Sequence, residues 1–323
     1  MFYGGKRTLV MSVYRCLGTT DLKAFPVGLG GWAFGGGLDW GDISETDCIK
    51  TVHAALDEGI NLIDTAPVYG NGLSEERIGK AIKDRRAKVI LADKCGLVKN
   101  GSWTDHDLRS ETIIKQLENS LRLLQTDYID LYQIHYPDPK VPLEDALGTL
   151  MRLKQEGKIR YIGLCNVSHT ILQEIRYIDC ISAVQNHYSL LKAQEQKEVL
   201  DWCADEGAAF LGYGTLGGGI LSGKYKKEPN LRRADARNYF YKTYRAERFV
   251  SAHRTAERVK KIAQDKQVYP SAVAAAWALH QRAVSLVLTG ARNAEQIIQN
   301  ATAGKIFLTE QEIRFLEGKD DFS

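Results

Sequence analysis

The sequence lacks the spaced clusters of cysteine and histidine that mark disulfide frameworks and metal sites. None of its six cysteines forms a CxxC pair, so we expect reduced thiols in a cytoplasmic protein. The seven histidines show no HxxxH or HxH spacing. No metal site is therefore predicted, although a barrel fold can gather ligands from distant loops.

Long apolar runs and a strong charge imbalance are also missing. No run is long enough to cross a bilayer, and no secretory signal is evident. A formal net charge of +3 is too small to indicate nucleic acid or a membrane surface as a partner. With 44% hydrophobic and 26% charged residues, the composition is typical of a soluble globular protein that buries a large core.

The beginning of the chain carries no pattern. Residues 1–10, MFYGGKRTLV, show no clear periodicity, and a hairpin is predicted to begin after Met11. We expect residues 1–13 to be an extension, either a disordered tail or an artefact upstream of a start at Met11. Residues 14–323 are expected to form a single barrel domain.

Short apolar runs alternate with amphipathic stretches along the rest of the chain. Strands are predicted at 26–31, 60–64, 89–94, 129–134, 159–164, 181–184, 208–213 and 284–289. Helices are predicted at 45–57, 74–83, 108–124, 143–155, after Ser168, and at 195–205, 294–303 and 308–316.

Strand and helix in regular alternation predict an α/β fold. The strands are too apolar for a half-exposed sheet, which favours a (β/α)8 TIM barrel with an N-terminal hairpin, a long loop after strand 7 and a C-terminal helix. A doubly wound sheet is the alternative, and it would show a GxGxxG turn that opens directly into a helix. Gly28-Leu29-Gly30-Gly31 begins such a turn, but a long polar loop follows. We reject that alternative.

The loop after the seventh strand, from Gly214 to about Tyr244, is glycine-rich and then basic and tyrosine-rich. Two interpretations remain open. The loop can fold over a ligand, because it leaves the carboxyl end of a barrel strand, or it can be a solvated surface loop. We favour the first.

Three consecutive predicted strands end in residues that carry proton chemistry. The first ends at Asp64, with Tyr69 just beyond it, and the next two end at Lys94 and His135. In a parallel barrel these ends converge on one face, where such barrels do chemistry. A nearby ammonium stabilises phenolate, so we expect Lys94 to lower the pKa of Tyr69 and to make the phenol a usable proton donor.

Several motifs in the correct order resemble the aldo-keto reductase family, bacterial branch, from Tyr14 to the C-terminus. They are Asn61-Leu62-Ile63-Asp64-Thr65-Ala66-Pro67-Val68-Tyr69-Gly70 with Ser74-Glu75-Glu76, Leu131-Tyr132-Gln133-Ile134-His135-Tyr136-Pro137-Asp138, and Gly157-Lys158-Ile159-Arg160-Tyr161-Ile162-Gly163.

The resemblance implies a catalytic tetrad of Asp64, Tyr69, Lys94 and His135. Tyr69 would protonate the carbonyl oxygen, Lys94 would be held by Asp64, and His135 would orient the substrate. Hydride would come from NADPH in the reduction and would go to NADP+ in the reverse oxidation, with NADH as a possible cofactor and no metal. The substrate would be a small aldehyde, ketone or sugar.

The resemblance also implies a cofactor site, in which Asn166 and Gln185 hold the carboxamide and Tyr213 stacks on the nicotinamide. Arg292 would bind a 2′-phosphate, which favours NADPH. The implied cofactor contacts are Gly31, Trp32, Asp64, Cys165, Asn166, Gln185, Tyr213, Leu216, Gly218, Leu221, Gly290, Arg292, Gln296 and Asn300. The expected substrate contacts are Trp32, Tyr69, His135 and Trp103.

Two residues depart from the family pattern. Cys165 replaces the usual serine of the carboxamide site, and a thiol is the weaker hydrogen-bonding group. Asp93 replaces the usual threonine before the catalytic lysine. Its carboxylate would either raise the pKa of Lys94 or point away into solvent.

Two other classes of function compete with the reductase. A cofactor-binding regulatory subunit that senses redox state is one, although the intact tetrad argues against it. A metal-dependent barrel hydrolase is the other, and it lacks clustered ligands. The sequence assigns neither the individual substrate nor the oligomeric state.

Overall fold

The computed structural model describes residues 14–320 except 102, 176 and 177. The predicted N-terminal extension, residues 1–13, lies outside the described residues. Strands are β1 Arg15–Cys16, β2 Lys23–Ala24, β3 Val27–Gly30, β4 Leu62–Asp64, β5 Ile90–Cys95, β6 Leu97–Asn100, β7 Trp103–His106, β8 Ile129–Ile134, β9 Ile159–Cys165, β10 Ile181–His187, β11 Ala209–Tyr213 and β12 Val284–Gly290.

The helices lie mostly between these strands. They are α1 Gly37–Trp40, α2 Glu45–Asp57, α3 Leu73–Ile82, α4 Ser110–Leu124, α5 Leu143–Gln155, α6 His169–Glu174, α7 Lys197–Glu206, α8 Ala246–Lys266, α9 Pro270–Leu279, α10 Ala294–Ala301 and α11 Glu310–Leu316.

Within the described residues, eight parallel strands close into a barrel in the order β3-β4-β5-β8-β9-β10-β11-β12. The ring closes where Val27 of β3 pairs with Val287 of β12. The predicted (β/α)8 fold is confirmed. Its hairpin is formed by β1 and β2, which pair in antiparallel register.

Two apolar clusters lie on the two faces of the barrel wall, because side chains alternate along a strand. Leu62 and Ala92 belong to the inner cluster, whereas Ile63 and Leu91 pack against the helices. The inner cluster also takes in Leu17 of the N-terminal hairpin. The hairpin therefore plugs the amino end of the barrel and leaves the carboxyl end free for the site.

Local signals explain where several helices begin and end. Ser44 caps α2 by accepting a hydrogen bond from the backbone N–H of Asp47 at 3.0 Å. Thr309 and Glu312 form a capping box at the start of α11. Gly207 ends α7 with a φ of 68°, a left-handed conformation that glycine adopts without strain.

Two helices and one hairpin are not evident from periodicity. Nearly every residue of α9 is buried, so its sequence shows no polar face. Helix α8 is mostly polar with a narrow apolar stripe. The stretch expected to be a loop after Lys94 forms the antiparallel hairpin of β6 and β7, held by cross-strand pairing that a single strand does not reveal.

Candidate active site

The register of the barrel brings the predicted strand ends together. Asp64 pairs with Ala92 of β5, which lies two residues before Lys94 and faces the same side of the strand. Lys94 pairs with Gln133 of β8. Asp64, Lys94 and Gln133 share the inner face, and their side chains meet inside the carboxyl end of the barrel.

Lys94 is the centre of this network. Its side chain is 1% exposed, and its Nζ donates to Asp64 Oδ1 at 2.5 Å, to the carbonyl oxygen of Thr65 at 2.8 Å and to Tyr69 Oη at 3.4 Å. An ammonium has three protons, so each has an acceptor. Burial lowers the pKa of Lys94, but the acidic groups beside it, Asp64 first, outweigh burial, and the net pKa is raised. Lys94 is therefore charged.

The second oxygen of Asp64 is held by two amides. Gln185 Nε2 donates to Asp64 Oδ2 at 2.8 Å, and Gln133 Nε2 donates to the same oxygen at 3.2 Å. A buried carboxylate needs such partners beside its counter-ion. Sequence reasoning missed Gln133. An uncharged polar residue at an inward position of the apolar run Ile129–Ile134 is the signal that would have revealed it.

Tyr69 lies in the loop between β4 and α3, half-buried, with its ring 5.1 Å from Lys94 Nζ. Burial raises the pKa of Tyr69, and the charge of Lys94 lowers it by less, so the net pKa lies above the ordinary value. Lys94 lowers the pKa of Tyr69 as expected, but the desolvation of the phenolate outweighs this effect. The phenol is protonated at neutral pH and has a proton to give.

His135 follows β8 directly and lies edge-on to Tyr69, with ring centroids 5.8 Å apart. Its other face stacks on Tyr136 at 5.5 Å. Burial, together with the charges of Lys94 and His106, holds the pKa of His135 well below its usual range. The imidazole is therefore neutral near pH 7 and carries one N–H that can donate to a carbonyl oxygen.

Asp93 takes neither of the two positions expected for it. It lies on the outer face of β5, fully buried, beside the fully buried Glu75 of α3. None of the four carboxyl oxygens of this pair makes a hydrogen bond of good geometry among the described residues, although Ser120 lies close enough to lower the pKa of both groups. Burial raises the pKa of Asp93 to about 7, and burial with the Asp93 charge raises that of Glu75 to about 9. Strand alternation explains the placement, since Lys94 faces inward.

Cys165 is buried at the end of β9, where its Sγ contacts Gln133 Oε1 at 3.5 Å. Burial raises the pKa of the Cys165 thiol well above its usual value. The protonated, enclosed thiol is a poor target for oxidation. Its predicted contact with the cofactor remains a prediction.

The predicted carboxamide residues lie beside the tetrad. Asn166 Nδ2 donates to the carbonyl oxygen of His135 at 2.9 Å, and its Oδ1 accepts a hydrogen bond from Tyr213 Oη at 2.6 Å. Gln185, as described above, contacts Asp64. These contacts place Asn166, Gln185 and Tyr213 side by side along one wall of the candidate active site. Their roles toward a cofactor remain predictions.

Gly31 and Trp32 follow β3 on the other side of the tetrad. The backbone N–H of Gly31 donates to Asp64 O at 2.7 Å, and its carbonyl accepts from Ser74 Oγ at 2.9 Å. Ser74 was expected to cap α3, but the helix begins one residue earlier and Ser74 instead ties it to β3. The ring of Trp32 is nearly parallel to that of Tyr69, with centroids 6.0 Å apart and an angle of 23°.

Trp103, unlike Trp32, makes no ring contact with a tetrad residue among the described residues. It lies at the tip of the β6–β7 hairpin, paired with Asn100, and is 77% exposed. Its predicted role in substrate binding remains a prediction.

A glycine-rich turn, Gly217–Ser222, follows β11. Gly218 has a φ of 69°, and a Cβ there would lie 2.9 Å from the ring of Tyr241, so the position requires glycine. Leu216 is half-buried. Leu221 is fully buried in the outer apolar cluster, so it can offer only its backbone to a ligand.

The predicted adenosine end is assembled where β12 meets α10. The backbone N–H of Arg292 donates to Gln296 Oε1 at 2.9 Å, and Asn300 Nδ2 reaches the carbonyl oxygen of Gly290 at 3.5 Å. A Cβ on Gly290 would meet open space. The exposed guanidinium of Arg292 donates to Asp42 O at 2.6 Å.

This arrangement accords with three comparisons with known proteins. A model of the aldo/keto reductase family matches residues 26–321. The chain belongs to the aldo/keto reductase family. It is 40% identical over 289 residues to aldo-keto reductase YhdN of Bacillus subtilis (strain 168), covering 88% of this chain and 86% of the relative. It is 34% identical over 309 residues to the NADH-specific methylglyoxal reductase of Escherichia coli (strain K12), covering 91% and 94%.

A solved structure of this family shares the fold closely. The glycerol dehydrogenase AKR11B4 from Gluconobacter oxydans superposes with a TM-score of 0.85 at 32% identity, covering 97% of this chain and 98% of that one. The family prediction is confirmed. The protein is an NAD(P)-dependent oxidoreductase that acts on carbonyl groups.

The residues present fit the dinucleotide that aldo/keto reductases use. The glycine turn after β11 lets a ligand approach the backbone, and two cations missed by sequence reasoning, Lys224 and Arg237, lie near it. Lys224 Nζ lies 3.1 Å from where a Cβ on Gly219 would be, and the Arg237 side chain lies 3.2 Å from one on Gly218, so both border the turn. Burial, with the charges of Arg237 and Arg292, lowers the pKa of Lys224. Such a cluster suits phosphate groups. The basic run noted in the sequence was the signal for Arg237.

Two other kinds of feature, a metal cluster and a membrane-spanning helix, are not found among the described residues. In the ranges that the structure covers, no three His, Cys, Asp or Glu residues are grouped to hold a metal ion. Among the same residues, no helix has both the length and the apolarity to cross a membrane.

Proposed function

We propose that this site reduces the carbonyl group of a small aldehyde, ketone or sugar, with Tyr69 as the proton donor and NADPH as the preferred cofactor. The observation that supports the proposal most is the buried Lys94, which contacts both Asp64 and the Tyr69 hydroxyl. A reaction in which the phenol transiently loses its proton needs this fixed positive charge beside it.

Each tetrad residue has a separate task in this proposal. His135, neutral and buried, donates a hydrogen bond to the substrate carbonyl oxygen and fixes its orientation. Hydride to the carbonyl carbon would come from the nicotinamide cofactor when it is bound. Tyr69 gives its proton to the oxygen, so that the carbonyl becomes an alcohol. Lys94 stabilises the phenolate that remains until solvent returns the proton, and Asp64 holds Lys94 in place.

The cofactor would lie along the wall from Asn166 and Gln185 to the glycine turn and on to Arg292. Lys224 would bring positive charge to its pyrophosphate, whereas the charge of Arg237 is already balanced by its ion pair with Asp235 at 2.5 Å. Arg292 has five N–H donors and uses one side-chain nitrogen on Asp42 O. It therefore retains donors for a 2′-phosphate, which supports NADPH over NADH.

The proposal is tested by incubating the purified protein with NADPH and a reactive aromatic aldehyde. We expect NADPH to be consumed in proportion to the alcohol formed, because hydride and proton go to the same carbonyl group. Cofactor binding is measured in parallel by quenching of tryptophan fluorescence. If the protein binds NADPH but turns over no aldehyde, ketone, sugar or alcohol in either direction, the regulatory-subunit interpretation replaces this one.

A further inference from the structure

Two loops meet across the mouth of the site. The first, residues 35–42, includes α1 and follows β3, and the second, residues 232–241, belongs to the long loop after β11. We call the pair the clasp. Tyr239 Oη of the second loop donates to Asp39 Oδ1 of the first at 2.7 Å. The guanidinium of Arg237 lies 5.9 Å from the ring of Trp40. The clasp therefore joins segments about 200 residues apart in sequence.

Asp39 serves both sides of this contact with different oxygens. Its Oδ1 accepts from Tyr239 Oη, and its Oδ2 accepts from Trp32 Nε1 at 3.2 Å. A carboxylate can accept both bonds at once, whereas a carboxamide of the same shape has only one acceptor oxygen. Both bonds are charge-assisted, which makes them stronger than bonds between neutral groups.

Trp32 is the link from Asp39 to the reacting residues. Its ring lies nearly parallel to that of Tyr69 at 6.0 Å, and the edges of Trp40 and Phe240 contact it at centroid distances of 5.3 Å and 5.0 Å. Phe240 belongs to the same loop as Tyr239. The position of the Trp32 ring therefore depends on the clasp through a hydrogen bond and through an aromatic contact.

We propose that Asp39 is a positioning residue for the carbonyl substrate, because its two oxygens hold Trp32 beside Tyr69 and tie Trp32 to the loop after β11. The inference rests on the proposed function. The loop that carries Tyr239 begins with the glycine turn assigned to the cofactor. The same loop therefore borders the proposed cofactor site at its start and the Trp32 ring at Phe240. Cofactor binding and substrate binding are coupled through one carboxylate.

The test uses Asp39→Asn and Tyr239→Phe, with Tyr269→Phe as a matched control. Tyr269 is 48% exposed and Tyr239 is 52% exposed, and Tyr269 lies at the start of α9. With NADPH saturating, we expect KM for the aldehyde to rise about three- to tenfold in both clasp variants, the range of one hydrogen bond. We expect kcat to change less than KM, since the tetrad is intact. In a Trp32→Phe background, Asp39→Asn should add little to KM.

Trypsin supplies a readout that does not need activity. The second loop contains Arg232, Arg233 and Arg237, and its cleavage is followed by mass spectrometry. We expect faster cleavage there in both clasp variants than in wild type and Tyr269→Phe. Unchanged cleavage, or an unchanged KM while the wild type reduces the aldehyde, overturns the proposal. Absence of turnover in every protein, with faster cleavage in the clasp variants, instead defeats the proposed function and leaves the clasp contact supported.

Discussion

At the scale of single residues, the chemistry is set by neighbours rather than by residue type. Lys94 is charged although buried, because the carboxylate of Asp64 and the carbonyl oxygen of Thr65 accept hydrogen bonds from its ammonium group. His135 is neutral, and Tyr69 keeps its proton. These positions were predicted because polar residues stand at the ends of apolar strands, or, for Tyr69, just beyond such an end. Their net pKa directions were not predictable from the sequence, because desolvation depends on how the whole barrel encloses them.

Arg292 gives a prediction that belongs to this scale. In Arg292→Gln, we expect NADPH binding to weaken about tenfold or more, because charge-assisted hydrogen bonds to a 2′-phosphate are lost. NADH binding should be nearly unchanged. Dissociation constants for both nucleotides, measured by fluorescence titration, decide the matter. Arg282→Gln, an exposed arginine that precedes β12, is the control. Equal weakening of both nucleotides, or of neither, contradicts the assignment of Arg292.

At the scale of elements, the inner and outer faces of strand β5 have different roles. Lys94 of β5 belongs to the site, whereas Asp93 faces α3 and meets Glu75 there. The direction of Asp93 follows from alternation once Lys94 is known to face inward. That it meets a second buried carboxyl could not be predicted, because the packing of α3 on β5 is a tertiary contact between distant stretches.

This carboxyl pair predicts a dependence of stability on pH. The pKa values of Asp93 and Glu75, raised to about 7 and about 9, exceed the value of about 4 for unfolded carboxyls. The folded chain therefore holds protons that the unfolded chain has lost. The free energy of unfolding falls as pH rises from about 4, the unfolded pKa, to the raised pKa values of the folded chain. In Asp93→Asn, we expect the fall between about pH 5 and about pH 8 to shrink by on the order of 2 kcal/mol.

Urea unfolding at both pH values measures this change. Asp84→Asn, at an exposed position at the end of α3, is the control and should follow the wild type. Parallel loss of stability in the wild type and in Asp93→Asn would show that Asp93 does not hold a proton in the folded state.

At the scale of the whole molecule, the observed barrel agrees with the fold that the sequence pattern predicts. Apolar strands alternate with helices, their carboxyl ends face one side, and the hairpin closes the other. The clasp was beyond prediction, since the loops that carry Asp39 and Tyr239 show no periodicity and meet only in the folded chain. Their contact links the part assigned to the cofactor with the part assigned to the substrate.

The most direct test of this account is the turnover of Tyr69→Phe with NADPH and an aromatic aldehyde. Removing the phenolic hydroxyl should lower kcat by roughly two to four orders of magnitude, the scale of general acid catalysis, and leave NADPH binding near the wild-type value. Tyr269→Phe should keep wild-type turnover. If Tyr69→Phe binds NADPH normally and reduces the aldehyde within about tenfold of the wild-type rate, Tyr69 is not the proton donor and the account is wrong.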